Sequence, residues 1–340
     1  MSELIHIDGS QGGGQILRSS LSLAMLTGKG FRIKNIRGQR RKPGLQRQHL
    51  TCVQAAVAVC NGSADGVHLG ADELIFCPGE ITAGDYEFSI GSAGSTSLVL
   101  QTLLPALLMA DSVSSLRLHG GTHNPMAPPF EFLARVFLPQ LRKMGVSCEL
   151  ELVKPGFAPA GGGELHLKLS PWKKRNQLHL RDRGAQQAKR VAVYAAHLPA
   201  SVCRRELKTS LKCLAWPEDC GQVVEMDDSS CSGNVLAVEF ESEHVTERVS
   251  AFGSYSRSAE SVAKKAAKQM NDYLSSEAVV GKFLADQLLL PMAMAGGGSL
   301  ITLAASNHLR TNAKVIEAFL PMKVGIEELD GGRCLVRVVG

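Results

Sequence analysis

A histidine can serve as a catalyst when polar neighbours are aimed at the same place as its ring. His308 is the candidate of this chain for such a role. It follows an apolar stretch over 301–305 that reads as a short buried strand, in the polar run Ser306-Asn307-His308-Leu309-Arg310. Thr311 and Asn312 then offer a cap for a helix over 313–319, which leaves His308 in a loop. Sites in α/β proteins are commonly built between a strand end and a helix start. A lone loop histidine is also often a plain surface residue, and its company has to decide.

That company is polar and basic. The loop Gly9-Ser10-Gln11-Gly12-Gly13-Gly14-Gln15 opens an apolar helix over 16–26. Free N–H groups and the helix dipole favour phosphate at such a place. The pattern is neither the Walker loop nor the dinucleotide fingerprint, and glycines also serve such junctions sterically. Both readings stay open. Arg18 sits one turn into this helix, where a charge facing the core needs an anionic partner, although Ser19 and Ser20 also allow an exposed face. Arg37, Arg40, Arg41 and Lys42 form the densest basic cluster, with guanidinium forks suited to phosphate; a solvated turn is the plain alternative for any one of them. Gln48 and His49 lie on the helix that follows. Asp286 interrupts an apolar helix containing Phe283, Leu284 and Leu288, either on an exposed stripe or as a carboxylate orienting a polar partner such as His308.

The elements that must position these residues recur along the chain. A strand over 4–8, a glycine loop, a helix closed by Gly28, a strand over 31–36, a basic loop and a helix over 45–60 form one unit. The same order returns with a strand over 86–90, a small-residue loop, a helix over 98–109, a strand over 116–118, the loop Gly120 to Pro125 and a helix over 128–144. A third copy takes its helices from 278–290 and 313–319, its strand from 301–305 and its leading strand from 164–169. Arg37 to Lys42, Thr122 to Asn124 and Asn307 to Arg310 then occupy equivalent loops. Convergence around a pseudo-threefold axis and mere shared turn chemistry are the two readings. The fold class expected is α/β, three βαβαβ-type units, with residues 1–181 and 277–340 forming one domain. The inserted segment 182–276 is richer in charge and reads as a small α+β domain, with strands over 191–196 and 235–240 and a helix over 259–274.

Composition sets the bounds. The chain has 340 residues, 44% hydrophobic and 20% charged, which is ordinary for a globular protein with ample core. Arg, Gln, Gly or Pro interrupts every apolar run before membrane-spanning length, and no basic stretch followed by an apolar core marks a secretory signal. Nine scattered cysteines, an odd number without a Cys-x-x-Cys pair, read as reduced thiols of a cytoplasmic protein. A net charge of +5 permits an anionic partner without demanding one. Nothing points to an obligate protein partner.

Taken together, several stretches resemble the RNA 3′-terminal phosphate cyclase family. They are Asp8-Gly9-Ser10 with Gly-Gly-Gly-Gln-Ile-Leu-Arg18; Arg37-x-x-Arg40-x-Lys42-Pro-Gly-Leu with Gln48-His49-Leu; Gly-Ser-Ala-Gly-Ser with Gln101-Thr; Gly-Gly-Thr-x-Asn-Pro with Pro129; and Leu-Ala-Asp286-Gln-Leu with His308. Phe-x-Pro-x-Gly-Gly-Gly at 157–163 and Thr246-Glu247-Arg248 extend the likeness over nearly the whole chain. The resemblance implies ATP and a divalent cation, Mg2+ or Mn2+, used to convert RNA 3′-phosphate ends to 2′,3′-cyclic phosphates through a histidinyl-AMP on His308. It assigns Arg18, Arg40, Gln48 and His49 to phosphate groups or the RNA end, with Arg37 in the same basic loop. Gln101, Pro128, Phe132 and Phe283, Leu284, Ala285, Asp286 and Gln287 would frame the nucleotide, Asp286 orienting it. Phe283 stands where an aromatic, often tyrosine, is expected, so a stacking ring is kept without the hydroxyl. One departure concerns metal. The family pattern x-x-Gly-Glu-Gly-Gly-Gly-Gln is here Ser10-Gln11-Gly12-Gly13-Gly14-Gln15, two residues shorter and without the glutamate. The metal ligands are therefore left unassigned. The rival readings are a non-catalytic RNA-binding relative and an enolpyruvyl-type transferase.

Overall fold

In the computed structural model, which describes residues 3–340, the chain begins with β1 (Ile5–Asp8), α1 (Gly14–Thr27), β2 (Phe31–Lys34), α2 (Arg47–Cys60), β3 (Ser63–Asp65) and β4 (Leu74–Cys77). Gly28 closes α1 in the left-handed region, donating its N–H to the Ala24 carbonyl. A helix crossover makes β1 and β2 parallel; the consecutive strands β3 and β4 are antiparallel, and β4 returns antiparallel beside β2. The sheet order is β1-β2-β4-β3.

β5 (Asp85–Ser89), α3 (Thr96–Leu107), β6 (Ser114–Gly120), a helix of three joined pieces, β7 (Cys148–Lys154) and β8 (Gly163–Leu169) follow. The joined helix is α4 (Phe130–Phe132), a π-helical turn over Leu133–Phe137, and α5 (Leu138–Lys143). Its sheet has the order β5-β6-β8-β7, with the same strand senses as the first. β9 (Leu178–Leu180) leads into a segment of different design: β10 (Gln186–Ala196), α6 (Ala200–Leu214), β11 (Gly221–Glu225), β12 (Gly233–Ser242), β13 (Thr246–Phe252) and α7 (Ala259–Ser275). Then come α8 (Lys282–Met294), β14 (Gly298–Leu303), α9 (Asn307–Phe319), β15 (Lys323–Leu329) and β16 (Arg333–Val339). Their sheet, β9-β14-β16-β15, has the order and senses of the first two. The segment between forms a separate sheet, β11-β10-β12-β13.

Two expectations need correction. Residues 164–169 do not lead the third sheet; β8 pairs between β6 and β7, and the leading strand is β9, parallel to β14. Three residues carry too little alternation to be read as a strand. His308 is also not in a loop. Ser306 caps α9, its hydroxyl accepting from the Leu309 N–H at 3.1 Å, so the helix begins six residues early and holds Thr311 and Asn312 inside it. The inserted segment has a second helix that sequence reading missed, α6, burying Cys203, Leu211 and Leu214.

A shared apolar core joins the helices of the three like sheets, and the inserted sheet has its own between β10, β12 and α6–α7. α1 is central, packing on α2, α3 and α9. Leu17 and Leu21, one turn apart and fully buried, each contribute about 1.5–3 kcal/mol by leaving water. This packing brings the glycine loop, the basic loop and His308 together. Among the described residues, no helix is long and apolar enough to cross a membrane.

Candidate active site

The first turn of α1 and the first turn of α9 meet beside α8. The Gln15 side-chain amide donates from Nε2 to Asp286 Oδ1 at 2.6 Å, which leaves its Oε1 facing His308 Nδ1 as the ring's acceptor. Because the carboxyl fixes which way the amide points, the proton of a neutral His308 belongs on Nδ1 and the lone pair on Nε2. Asn312 ties the frame together, donating to the Asp286 carbonyl at 3.0 Å and accepting from the Ser19 hydroxyl at 2.7 Å. Burial pushes the Asp286 carboxyl above its usual range; the Gln15 bond, His308 and Arg18 oppose the rise. Sequence reading had Asp286 and His308 but not Gln15, Ser19 or Asn312, and Gln15 was visible only as the residue ending the glycine run.

The glycines let charged side chains reach the backbone. A Cβ at Gly14 would lie 2.1 Å from His49 Nε2 and 2.8 Å from Arg18 Nη1, and one at Gly13 would lie 2.8 Å from Arg40 Nη2. Gln46 at the start of α2 donates its N–H to His49 Nδ1 at 3.0 Å, so His49 presents Nε2–H to the loop. Burial, with Arg18 and Arg37 nearby, lowers the His49 pKa to about 3, which keeps the ring a neutral donor. Burial also lowers Arg18, yet Arg18, Arg37 and Arg40 form no ion pair among the described residues. Arg37 instead braces its own loop, donating to the Lys42 and Gly44 carbonyls at 2.7 and 2.8 Å. Gln48 accepts from the Ser95 N–H at 2.9 Å, joining α2 to the loop before α3.

Apart from Lys42, Gly44 and Ser95, these residues line one cavity of about 1350 Å³. Gln101 and Gln287, hydrogen-bonded to each other, stand on its wall with Pro128, Phe132 and Phe283. Phe283 is half exposed, with the Lys282 ammonium 4.8 Å from its ring centre. Leu284 and Ala285 are not on the wall. They face the core from α8, fully buried, and help to fix the helix that carries Phe283, Asp286 and Gln287. Nor do Thr122, His123 and Asn124 line the cavity, as the convergence reading of the repeat would have had them do. His123 is buried, bonded to Thr122 and Glu131 and stacked on Phe157. The wall around the glycine loop carries Arg18, Arg37, Arg40, Arg47 and Lys282 against a single carboxylate, Asp286, and the side formed by the inserted segment adds Arg257 and Lys265; Arg248, also on the wall, is paired with Glu239 at 2.9 Å. Such an excess of cations around the glycine loop suits a polyanion.

The comparisons with known proteins agree with this chemistry. The family model described as RNA 3′-terminal phosphate cyclase matches residues 10–326. A protein named RNA 3′-terminal phosphate cyclase from Pseudomonas fluorescens is 51% identical over 95% of this chain and 94% of its own. Another of that name from Ectopseudomonas mendocina is 51% identical with the same coverage, and one from Pseudomonas aeruginosa is 49% identical over 97% and 96%. This chain belongs to the RNA 3′-terminal phosphate cyclase family.

Among solved structures, the enolpyruvyl transferase NikO from Streptomyces tendae is similar over 99% of this chain and 48% of its own, at 10% identity and a TM-score of 0.35. A likeness of that size carries no argument. Cyclase membership implies ATP as a substrate, and the cations around Gly13 and Gly14 suit its phosphates. It fits a protein-held divalent cation less well. Among the described residues no three His, Cys, Asp or Glu side chains are grouped to hold a metal. Asp8 is occupied by the Ser10 N–H and hydroxyl and by Asn35, and Asp286 by Gln15. The shortened loop offers no substitute carboxylate.

Proposed function

We propose that this chain cyclises RNA 3′-phosphate ends with ATP and that His308 carries the adenylate. The observation behind the reading is the Asp286–Gln15–His308 chain at the edge of a cation-lined cavity. With Nδ1 protonated toward Gln15, the Nε2 lone pair attacks the α-phosphorus of ATP; an N–P bond forms, the α–β P–O bond breaks and pyrophosphate leaves. An oxygen of the RNA 3′-phosphate then takes the adenylate from His308. The neighbouring 2′-hydroxyl attacks the 3′-phosphorus, losing its proton as AMP departs and the cycle closes. A phosphate monoester resists such attack until it bears a leaving group, which is what the adenylate supplies.

Arg18, Arg40 and His49 hold phosphate oxygens in this reading, and Gln101, Pro128, Phe132, Phe283 and Gln287 frame the nucleotide. Donors fixed in place before charge develops are worth about 2.7–4 kcal/mol each when removed. The three like-ordered sheets are repeats about a pseudo-threefold axis in this account, with 1–181 and 277–340 as the catalytic domain and 182–276 inserted. The setting is cytoplasmic. Among the described residues no ligand set is built for a divalent cation. That same lack is the observation favouring a second reading, a non-catalytic RNA-binding relative.

The test is an RNA bearing a labelled 3′-phosphate, incubated with the protein and ATP. The account expects ATP-dependent conversion of the label to a phosphatase-resistant end. Label that stays phosphatase-sensitive, with RNA still bound, selects the second reading.

A further inference from the structure

We infer that the inserted segment carries the track for the single-stranded RNA behind its reacting end, an inference that rests on the cyclase reading above. The cavity does not stop at His308. It continues onto the loop after β13 and onto α7, where Arg257, Lys265 and Gln269 line it. Lys265 and Gln269 are one turn apart, so they share the face of α7 turned to the cavity. No carboxylate from the inserted segment lines the cavity, and Glu260 pairs instead with Arg205 at 3.6 Å. Between Ser254 and Ser256, both on the wall, Tyr255 stands fully exposed. Unpaired cations beside a bare aromatic ring match a ligand that alternates phosphates with flat bases. A duplex keeps its bases stacked on each other and offers Tyr255 no face, so the occupant is a single strand. Space agrees: about 1350 Å³ exceeds the roughly 300–1,000 Å³ of a pocket for one small ligand.

The test compares the intact protein with Tyr255→Ala and with Arg257→Ala/Lys265→Ala, all changes at exposed side chains. Self-labelling by α-labelled ATP without RNA reads the nucleotide step. KM for single-stranded RNA 3′-phosphates, from a mononucleotide upward in length, reads the track. Self-labelling is expected to be equal in all three proteins. Tyr255→Ala is expected to raise KM for the longer RNAs roughly tenfold. The double variant is expected to flatten the dependence of log KM on log salt by roughly 1.4, about 0.7 for each phosphate neutralised on a single strand. Both variants are expected to lose the advantage of long over short RNA. Unchanged KM, salt slope and length dependence in both, with self-labelling intact, overturns the track. A protein that never self-labels sinks the cyclase reading instead, and anisotropy of a fluorescent RNA then decides the track: weaker binding by the variants supports it, and equal binding overturns it. Tight binding of a blunt duplex that survives Tyr255→Ala also overturns it.

Discussion

Two groups of arginines in this molecule have opposite surroundings. Around Glu239 on β12, Arg135 closes a fork at 2.9 and 2.6 Å, and Arg190 and Arg248 each donate at 2.9 Å. Arg190 also reaches Glu241 at 2.6 Å, and Arg248 lies 3.8 Å from Glu131. Burial works to raise the Glu239 pKa, but Arg135, Arg248 and Arg190 hold it down at about 2. Every positive charge there has its negative one. Around Gly13 and Gly14, Arg18, Arg37 and Arg40 form no ion pair, and Asp286 is the carboxylate that acts on Arg18. In the proposed function the anion for these arginines comes with the ligand. The paired group fastens α4–α5 to the inserted sheet, and in that account the unpaired group is left for the ligand.

The comparison is broken or sharpened by removing one member from each group. Glu239→Ala leaves three arginines facing each other and is expected to cost about 3–5 kcal/mol, read as a fall in the urea midpoint. Arg18→Met removes a charge that forms no ion pair, so the midpoint is expected to hold or rise, while cyclisation falls about 10²–10³-fold. Equal destabilisation by the two changes would erase the distinction.

Gln15→Leu tests the next layer. It is expected to keep the fold and the cations and to lose the tautomer control, slowing self-labelling roughly 10- to 100-fold, within the range second-layer partners typically command. Unchanged labelling would mean that Asp286 does not act through Gln15.

The smallest effects are those of pH. His49 has a folded pKa of about 3, below its unfolded value, so its contribution is complete above about pH 6.5 and is lost as pH falls toward 3. Glu239, depressed to about 2, loses its contribution between about pH 4.5 and 2. Urea unfolding is therefore expected to show a shallower loss of stability between pH 6 and 5 in His49→Gln, by up to about 1.4 kcal/mol per unit, and no change there in Glu239→Gln.

Much of this was legible in the chain, and the failures have a common cause. Local signals found the glycine loop, the basic loop, Asp286 and His308, because each is an unusual residue set in an apolar or repeated context. Relations across the chain were not legible. Gln15 touches Asp286 and His308 only after α1 packs on α8 and α9, some 270–290 positions apart. Arg135 and Glu239 are equally remote from each other, 104 positions apart. Arg248 was read only as part of a family stretch, with nothing to say that it bridges Glu239 and the cavity wall. The resemblance assigns Leu284 and Ala285 to the nucleotide as part of one segment with Asp286, and only the helix of the structure shows that their side chains turn to the core. Three-residue β9 was too short to carry a pattern, and the Ser306 cap was passed over for Thr311 and Asn312, which are equally good capping types.

The central claim is that His308 Nε2 is the nucleophile prepared by Gln15 and Asp286. Its most direct measurement is incubation of the intact protein and His308→Ala with α-labelled ATP and magnesium or manganese, followed by acid treatment. The account predicts acid-labile label on the intact protein and none on His308→Ala. Equal label on both would contradict it.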